Sequence, residues 1–248
     1  MLLQVWKTPV TRATRDIDLL GKLSNDLDVI KEMVRTVCAV AIEDDGLVFD
    51  SGTVATVRIA EDADYEGVRA TFRGCFGKMP LAMQMDVGFG DVITPEATPI
   101  TYPSVLDHPP ALLLAYNRET TVAEKFEAMV RFGELNSRMK DFFDVWVPAK
   151  NFAFDGPVLA DAIRSTFTRR RRDVEAKPVC FTERFANLAA KAAQWQGFIR
   201  TSRVDKAPPW FAEVVVHARE FLQPVADAIA NQRKYDRQWE AGGPWAKR

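Results

Sequence analysis

Histidine is nearly absent from this chain, with only His108 and His217 among 248 residues. A histidine-based metal cluster is therefore excluded, and no G-x-S-x-G elbow accompanies either residue to suggest a serine hydrolase. A lone histidine is more often a surface or satisfied core residue than a catalyst. Cysteine is scarce too. Cys38, Cys75 and Cys180 are odd in number, far apart and without a C-x-x-C pair. They fit reduced thiols of a cytosolic protein better than disulfides or a zinc site. No apolar run approaches the roughly 18 residues of a membrane span; Val37-Cys-Ala-Val-Ala-Ile42 is a short core segment. The start, Met1-Leu-Leu-Gln-Val-Trp-Lys7, lacks the charged beginning and long apolar stretch of a signal peptide. A cytoplasmic protein with no membrane partner is expected. Neither a Walker loop nor a G-x-G-x-x-G follows a strand, and Gly88-Phe-Gly90 is too short a match to count.

What is present suits a globular chain. It is 47% hydrophobic with six Trp and sixteen Phe, enough for a sizeable core in one large domain or two modest ones. The net charge of −1 is unevenly spread. Residues 1–150 carry 16 Lys and Arg against 23 Asp and Glu, whereas residues 151–248 carry 17 against 11. An acidic half gathering metal carboxylates and a basic half holding a polyanion fit an enzyme acting on nucleotide or nucleic acid. Ordinary solvated helix faces produce the same asymmetry.

The stretch Arg12-Ala-Thr-Arg-Asp-Ile-Asp-Leu-Leu-Gly21 holds two acids, Asp16 and Asp18, at i and i+2 in a short apolar run. Alternate strand residues share a face, so both carboxylates project together while Ile17 turns inward. Like charges held that close call for a cation or a shared proton. Oxygen-rich, histidine-free clusters suit Mg²⁺ or Mn²⁺. The plain alternative is a strand edge with two solvated acids.

A third acid joins them. Leu81-Ala-Met-Gln-Met-Asp86-Val-Gly-Phe-Gly-Asp91 reads as a strand ending in a glycine-punctuated turn. Asp86, set among Met85, Val87 and Phe89, needs a partner because burying an isolated charge is costly. Three strand-borne acids, with no His or Arg expected among them, match the needs of a metal site for in-line phosphoryl displacement.

The remaining pattern predicts a helix from Ser24-Asn-Asp-Leu-Asp28 to about Ile42, with Leu27, Ile30, Val34, Val37 and Cys38 on one face. Strands are predicted at Val54–Ile59 and Gly67–Phe72. Thr94–Pro110, with five prolines, reads as extended loop. Helices are predicted from Thr121 and over about 135–147. Pro148 and 151–157 read as a linker to a mainly helical remainder. This divides the chain into a mixed core over 1–150 and a basic helical region over 151–248.

The helical stretch adds cations. Glu124 and Lys125 lie beside an apolar stripe, and Arg138, Asp141 and Asp144 recur at steps of three on one helix face with Lys140 next to it. A triphosphate site needs cations, and the cations need acids to orient them. Surface ion pairs would give the same spacing. Arg169-Arg-Arg-Arg172, at the end of an amphipathic run, is either a solvated helix end or a clamp for RNA phosphates.

Taken together, T-R-D-I-D-L-L-G, Q-M-D-V-G-F-G-D, R-E-T-T-V-A-E-K-F-E-A-M and L-N-S-R-M-K-D-F-F-D-V-W resemble the AbiEii family of abortive-infection nucleotidyltransferase toxins, within the DNA polymerase β-like superfamily. The resemblance is strong over about 2–146 and weaker, through Phe181-Thr-Glu-Arg-Phe185 and Gln194-Trp195, to about Pro224. It implies an α/β (α+β) fold: a polymerase β-like core with a mixed sheet, then a helical C-terminal region. It also implies that Asp16 and Asp18 are the metal-binding D-x-D and Asp86 the third metal carboxylate. Lys125 matches the family's lysine motif, and Arg138, Lys140, Asp141 and Asp144 match its R-x-K-D-x-x-D. On this basis Asp16, Asp18, Asp86, Lys125 and Asp141 are the expected catalytic residues. Arg15, Lys125, Arg138, Lys140 and Asp144 are the expected nucleotide-binding set.

The implied reaction is metal-dependent transfer of a nucleoside monophosphate from an NTP, with Mg²⁺ or Mn²⁺, to a tRNA 3′ end or a protein hydroxyl. The implied setting is phage defence with a cognate antitoxin. One departure is apparent. The Gly-Gly or Gly-Ser pair that opens a short phosphate-binding helix ahead of the family's D-x-D is missing, and Met1-Leu-Leu-Gln-Val-Trp6 resembles the back half of that helix. Weakened triphosphate binding is then expected, from a start lying upstream or a truncated enzyme. The alternative function is a catalytically inactive homologue that binds RNA or a protein.

Overall fold

The computed structural model describes residues 2–9, 12, 16–42, 45–62, 65–104, 109–204 and 206–248, with backbone alone at 16, 60–62 and 65–66. Arg15 and His108 lie outside the described residues. The chain forms two compact units, Thr14–Asp91 and the remainder, 1–13 with 92–248.

The smaller unit contains β1 (Asp16–Gly21), β2 (Leu47–Asp62), β3 (Tyr65–Phe76) and β4 (Met79–Phe89), ordered β1-β4-β3-β2. β1 runs parallel to β4, and the other pairs are antiparallel, so the sheet is mixed. The helix of this unit spans Leu27–Cys38 and is numbered α2, after the short α1 (Leu2–Val5) of the larger unit. Asp26 caps α2 by accepting from the backbone N–H groups of Asp28 and Val29, which satisfies two of the donors that a helix start leaves open. Ile30 and Val34 face the sheet and form one cluster with Val54, Val68, Ala70, Phe72 and Val87. Each fully buried Val, Ile or Phe of this kind contributes roughly 1.5–3 kcal/mol. The Thr56 hydroxyl donates to the Leu27 carbonyl and ties the helix to β2. Val37, expected on the inner face, is exposed, whereas its neighbour Cys38 in the same last turn packs against this cluster.

The larger unit is mainly helical. β5 (Thr98–Tyr102) and β6 (Ala111–Ala115) precede α3 (Arg118–Phe132), α4 (Met139–Asn151) and β7 (Phe154–Asp155). Then come α5 (Gly156–Arg169), α6 (Glu183–Ala186), α7 (Ala189–Ser202), α8 (Phe211–Ala230), β8 (Arg237–Trp239) and β9 (Trp245–Lys247). A single core joins Val122, Phe126 and Met129 of α3 to Phe142, Phe143 and Val147 of α4, and both to α5 and α8.

Three expectations are corrected here. The proline-rich 94–110 stretch contributes β5, which pairs with β6 and places Pro99 opposite Leu114. A two-stranded pair consists only of edges, where a missing N–H is tolerated. Pro148 lies inside α4, and 151–157 is no linker: it holds β7 and starts α5. Asp155 caps α5, and the β7-β8-β9 sheet is packed so closely that a side chain at Gly156 would meet the Arg237 carbonyl at 2.5 Å. Because α3, α4, α5 and α8 share one core, the expected boundary at residue 150 falls inside the larger unit. The mixed α/β class with a mixed sheet, followed by C-terminal helices, is as expected.

Candidate active site

In the smaller unit, the register of β1 against β4 sets Asp16 opposite Gln84, Ile17 opposite Met85, and Asp18 opposite Asp86. Cross-strand partners share a face of the sheet, so topology brings the D-x-D beside the third acid. The reverse face carries Val68, Ala70 and Val87 against α2. β3 flanks β4 on the other side, with Arg69 opposite Asp86 and Thr71 opposite Gln84.

Arg69 is the residue that sequence reasoning missed. Its Nε and Nη2 donate to Asp86 Oδ1 and Oδ2 at 2.8 and 2.7 Å, a forked pair, while Gln84 Nε2 approaches both oxygens at 3.4 and 3.3 Å. The expectation that no arginine stands among these acids is thereby corrected. Arg69 lies 17 positions from Asp86, and only the β3–β4 register brings them together. The Asp86 side chain is 18% exposed and that of Arg69 38%, so the pair borders solvent. Asp18 is exposed. Among the described residues no three acidic, Cys or His side chains form a ready cation site, and the Asp16 side chain is outside that set.

In the larger unit, α3 and α4 carry the expected cations and acids. Asn117 caps α3 by accepting from the Thr120 N–H, and Asn136 Oδ1 accepts from the Arg138 N–H at the start of α4. Asp141 has no exposed side-chain surface. It accepts from Arg138 Nε at 2.7 Å and lies 3.3 Å from Lys125 Nζ. Burial pushes the Asp141 carboxyl up, but Lys125, Arg138 and the exposed Lys140 outweigh it and hold the group below the ordinary carboxylate value. Burial likewise pulls Lys125 toward neutrality, yet Asp141, Asp144 and Glu124 prevail and raise its pKa. Lys125 is therefore a firmly charged ammonium beside a firmly charged carboxylate. Asp144, 8% exposed, is gripped by Arg12 through Nε and Nη2 at 2.8 and 2.7 Å.

Three further cations serve this region. Lys191 of α7 is buried and donates from Nζ to the Asn136 carbonyl at 2.7 Å, which fixes the turn that leads into Arg138. Arg170 and Arg172 hold Glu127, a fully buried acid of α3, at 2.8 and 3.0 Å. Two residues of the arginine run are thus counter-ions of a buried acid, Arg170 largely covered and Arg172 at the surface. No local pattern marks Arg12 or Lys191. Glu127 sits on the apolar stripe of α3, one residue after Phe126, and that buried acid is the one signal that could have pointed to a distant cation.

The expected site residues therefore fall into two groups: Asp16, Asp18 and Asp86 in one unit, and Lys125, Arg138, Lys140, Asp141 and Asp144 in the other. Acids aligned on one sheet face, and a charged Lys–Asp–Arg cluster on helices, are equipment suited to handling phosphate charge. The class that this describes is a nucleotidyltransferase. More particularly, the chain belongs to the AbiEii family, the nucleotidyl transferase AbiEii toxins of type IV toxin–antitoxin systems, whose sequence model matches residues 1–221. No curated protein matches the chain. Among solved structures it is similar to JHP933 from Helicobacter pylori, with 12% identity and a TM-score of 0.44 over 92% of this chain and 81% of that one. Another H. pylori chain, described as a nucleotidyltransferase, has 12% identity and a TM-score of 0.47 over 94% of this chain and 84% of that one. No helix among the described residues is long and apolar enough to cross a membrane.

Proposed function

We propose that the protein transfers a nucleoside monophosphate from an NTP to a hydroxyl of RNA, such as a tRNA 3′ end, or of a protein, in a metal-dependent reaction. The observation that carries this reading is the β1–β4 register, which aligns Asp18 with Asp86 and sets Asp16 two residues before on the same strand. The donor set fits Mg²⁺ or Mn²⁺, since it offers carboxylate oxygens and no imidazole or thiolate. When bound, the metal supplies positive charge against the triphosphate and the developing leaving group.

Asp16, Asp18 and Asp86 hold that metal, and Asp86 also helps activate the acceptor by taking up its hydroxyl proton. The acceptor oxygen forms a bond to the α-phosphorus. The bond from that phosphorus to the oxygen bridging toward the β-phosphate breaks, and pyrophosphate leaves with the electron pair. Lys125 contacts the triphosphate. Asp141 keeps it charged, and Arg138, Lys140 and Asp144 order the same face, with Arg15 assisting from the D-x-D motif. The cellular setting in this reading is a cytoplasmic phage-defence system with a cognate antitoxin.

The test is incorporation of each labelled NTP into total tRNA and into lysate protein with Mg²⁺ or Mn²⁺. Asp16→Ala and Lys125→Ala should each lower incorporation by at least about a hundredfold, the scale for losing one preorganised electrostatic contact. Failure to label any acceptor with any NTP overturns the proposed reaction.

A further inference from the structure

Asp86 is engaged by side chains of its own sheet. The forked bonds from Arg69 use both carboxylate oxygens, and Gln84 Nε2 borders the same atoms. Asp18, its partner across the β1–β4 register, is exposed. Arg69 arises from a neighbouring strand at the matched position, so its guanidinium is delivered to Asp86 by the sheet itself. The pair is placed where it can open: Arg69 is 38% exposed, and the face that carries it is the reverse of the one packed against α2. Moving the guanidinium into water leaves the hydrophobic cluster intact. A divalent cation arriving between Asp18 and Asp86 meets a fixed positive charge within bonding distance of the oxygens it needs. A carboxylate cannot give its full charge to two cations at once.

We infer that Arg69 is a built-in competitor of the divalent cation. It holds Asp86 in the metal-free protein, relieves the repulsion between Asp86 and Asp18, and sets the metal affinity of the site by having to yield Asp86 before the metal binds. Arg69 is thus a positioning residue for the reaction, acting through Asp86. This rests on the metal-site reading under Proposed function.

The experiment is titration of the full-length protein with Mn²⁺, followed by the loss of the free-ion electron paramagnetic resonance signal, for the wild type, Arg69→Gln, Arg69→Lys and Asp18→Asn. Arg69→Gln should bind Mn²⁺ about tenfold more tightly than the wild type, the scale for removing a charge a few ångströms from a divalent ion near the surface. Its melting temperature without metal should fall, and its gain on adding Mn²⁺ should exceed that of the wild type. Arg69→Lys keeps the charge without the fork and should lie between the two; it also carries the test if Arg69→Gln does not fold. Equal affinities in the wild type and both arginine variants would make the ion pair merely structural and overturn the inference. Weaker binding in Arg69→Gln overturns it too, because Arg69 would then be supporting the site. If Mn²⁺ binds neither the wild type nor Arg69→Gln, or binds both undiminished after Asp18→Asn, the metal-site reading itself falls and takes the inference with it.

Discussion

Asp86 in the smaller unit and Asp144 in the larger are each gripped by an arginine through two bonds of 2.7–2.8 Å. Their surroundings differ. Asp86 and Arg69 border solvent at 18% and 38% exposure, whereas Asp144 is nearly sealed and the adjoining Asp141 is fully so. Charges at a solvent border can exchange partners, because water compensates whichever group is released. Sealed charges cannot, since breaking such a pair strands an uncompensated ion. The acid face of the sheet is therefore fitted for ligand exchange. The α3–α4 cluster is fitted to hold its charges in place.

The sharpest way to break this contrast is Asp141→Ala. It leaves Lys125 and Arg138 without their buried counter-ion and should cost about 3–5 kcal/mol of unfolding free energy. Urea unfolding with an unmoved midpoint would show that the cluster is not structural. Glu127→Ala should also destabilise the fold, because it removes the buried acid that Arg170 and Arg172 answer. It follows that replacing all four residues of Arg169–Arg172 with Ser should destabilise the fold, a result to be read by calorimetry before any change in RNA binding is interpreted.

On the other side of the comparison, Asp18→Asn should lower nucleotidyl transfer by at least about a hundredfold. Metal-free unfolding should stay within about 0.5 kcal/mol of the wild type, as for an exposed residue without a structural partner role. Loss of stability matching that of Asp141→Ala would erase the distinction between the two regions.

The pH dependence sharpens the same point. The Asp141 carboxyl is held below its ordinary 3.8 in the folded state. Its stabilising contribution is therefore complete above that value and is lost as pH falls through the lower folded value. Lys125, raised above 10.5, contributes fully below that pH and loses its contribution only as pH rises through its folded value. Asp141→Asn should thus flatten the acid limb of the stability curve below about pH 4 without reshaping it between pH 6 and 8. A change confined to neutral pH would contradict this account.

The smallest expected effect belongs to Asp26→Ala, which removes the α2 cap. It should cost about 0.5–2 kcal/mol and leave transfer unchanged at temperatures where the protein is folded. A large drop in transfer at such temperatures would mean that α2 does more than brace the sheet.

Much of this layout is legible in the residues themselves. Alternation within Asp16-Ile-Asp18 and around Asp86 reads as strand, and the structure has β1 and β4 there. Asp26 reads as a helix start and caps α2. The three-residue steps from Arg138 to Asp144 put the acids on one helix face, and α4 forms over them. These are short-range facts, set by the two- and 3.6-residue periods of the backbone. Prolines mislead twice in the same direction, since both segments read as irregular stand in regular elements. Pro99 was compatible with an edge strand, and Pro148 with a helix whose core contacts outweigh one lost hydrogen bond.

The sequence by itself determined which segments are strand or helix near the acids, that carboxylates far outnumber imidazoles, and which family the motifs resemble. Only the tertiary structure decided how each charge is answered. Asp86 meets Arg69 through β-strand register, Asp144 meets Arg12 across 132 residues, and Glu127 meets Arg170 and Arg172 across more than forty. A buried or half-buried carboxylate announces that it needs a cation, because desolvation makes solitude costly. Which cation answers depends on strand order and helix packing, and those arise from the whole chain folding at once rather than from any window of it.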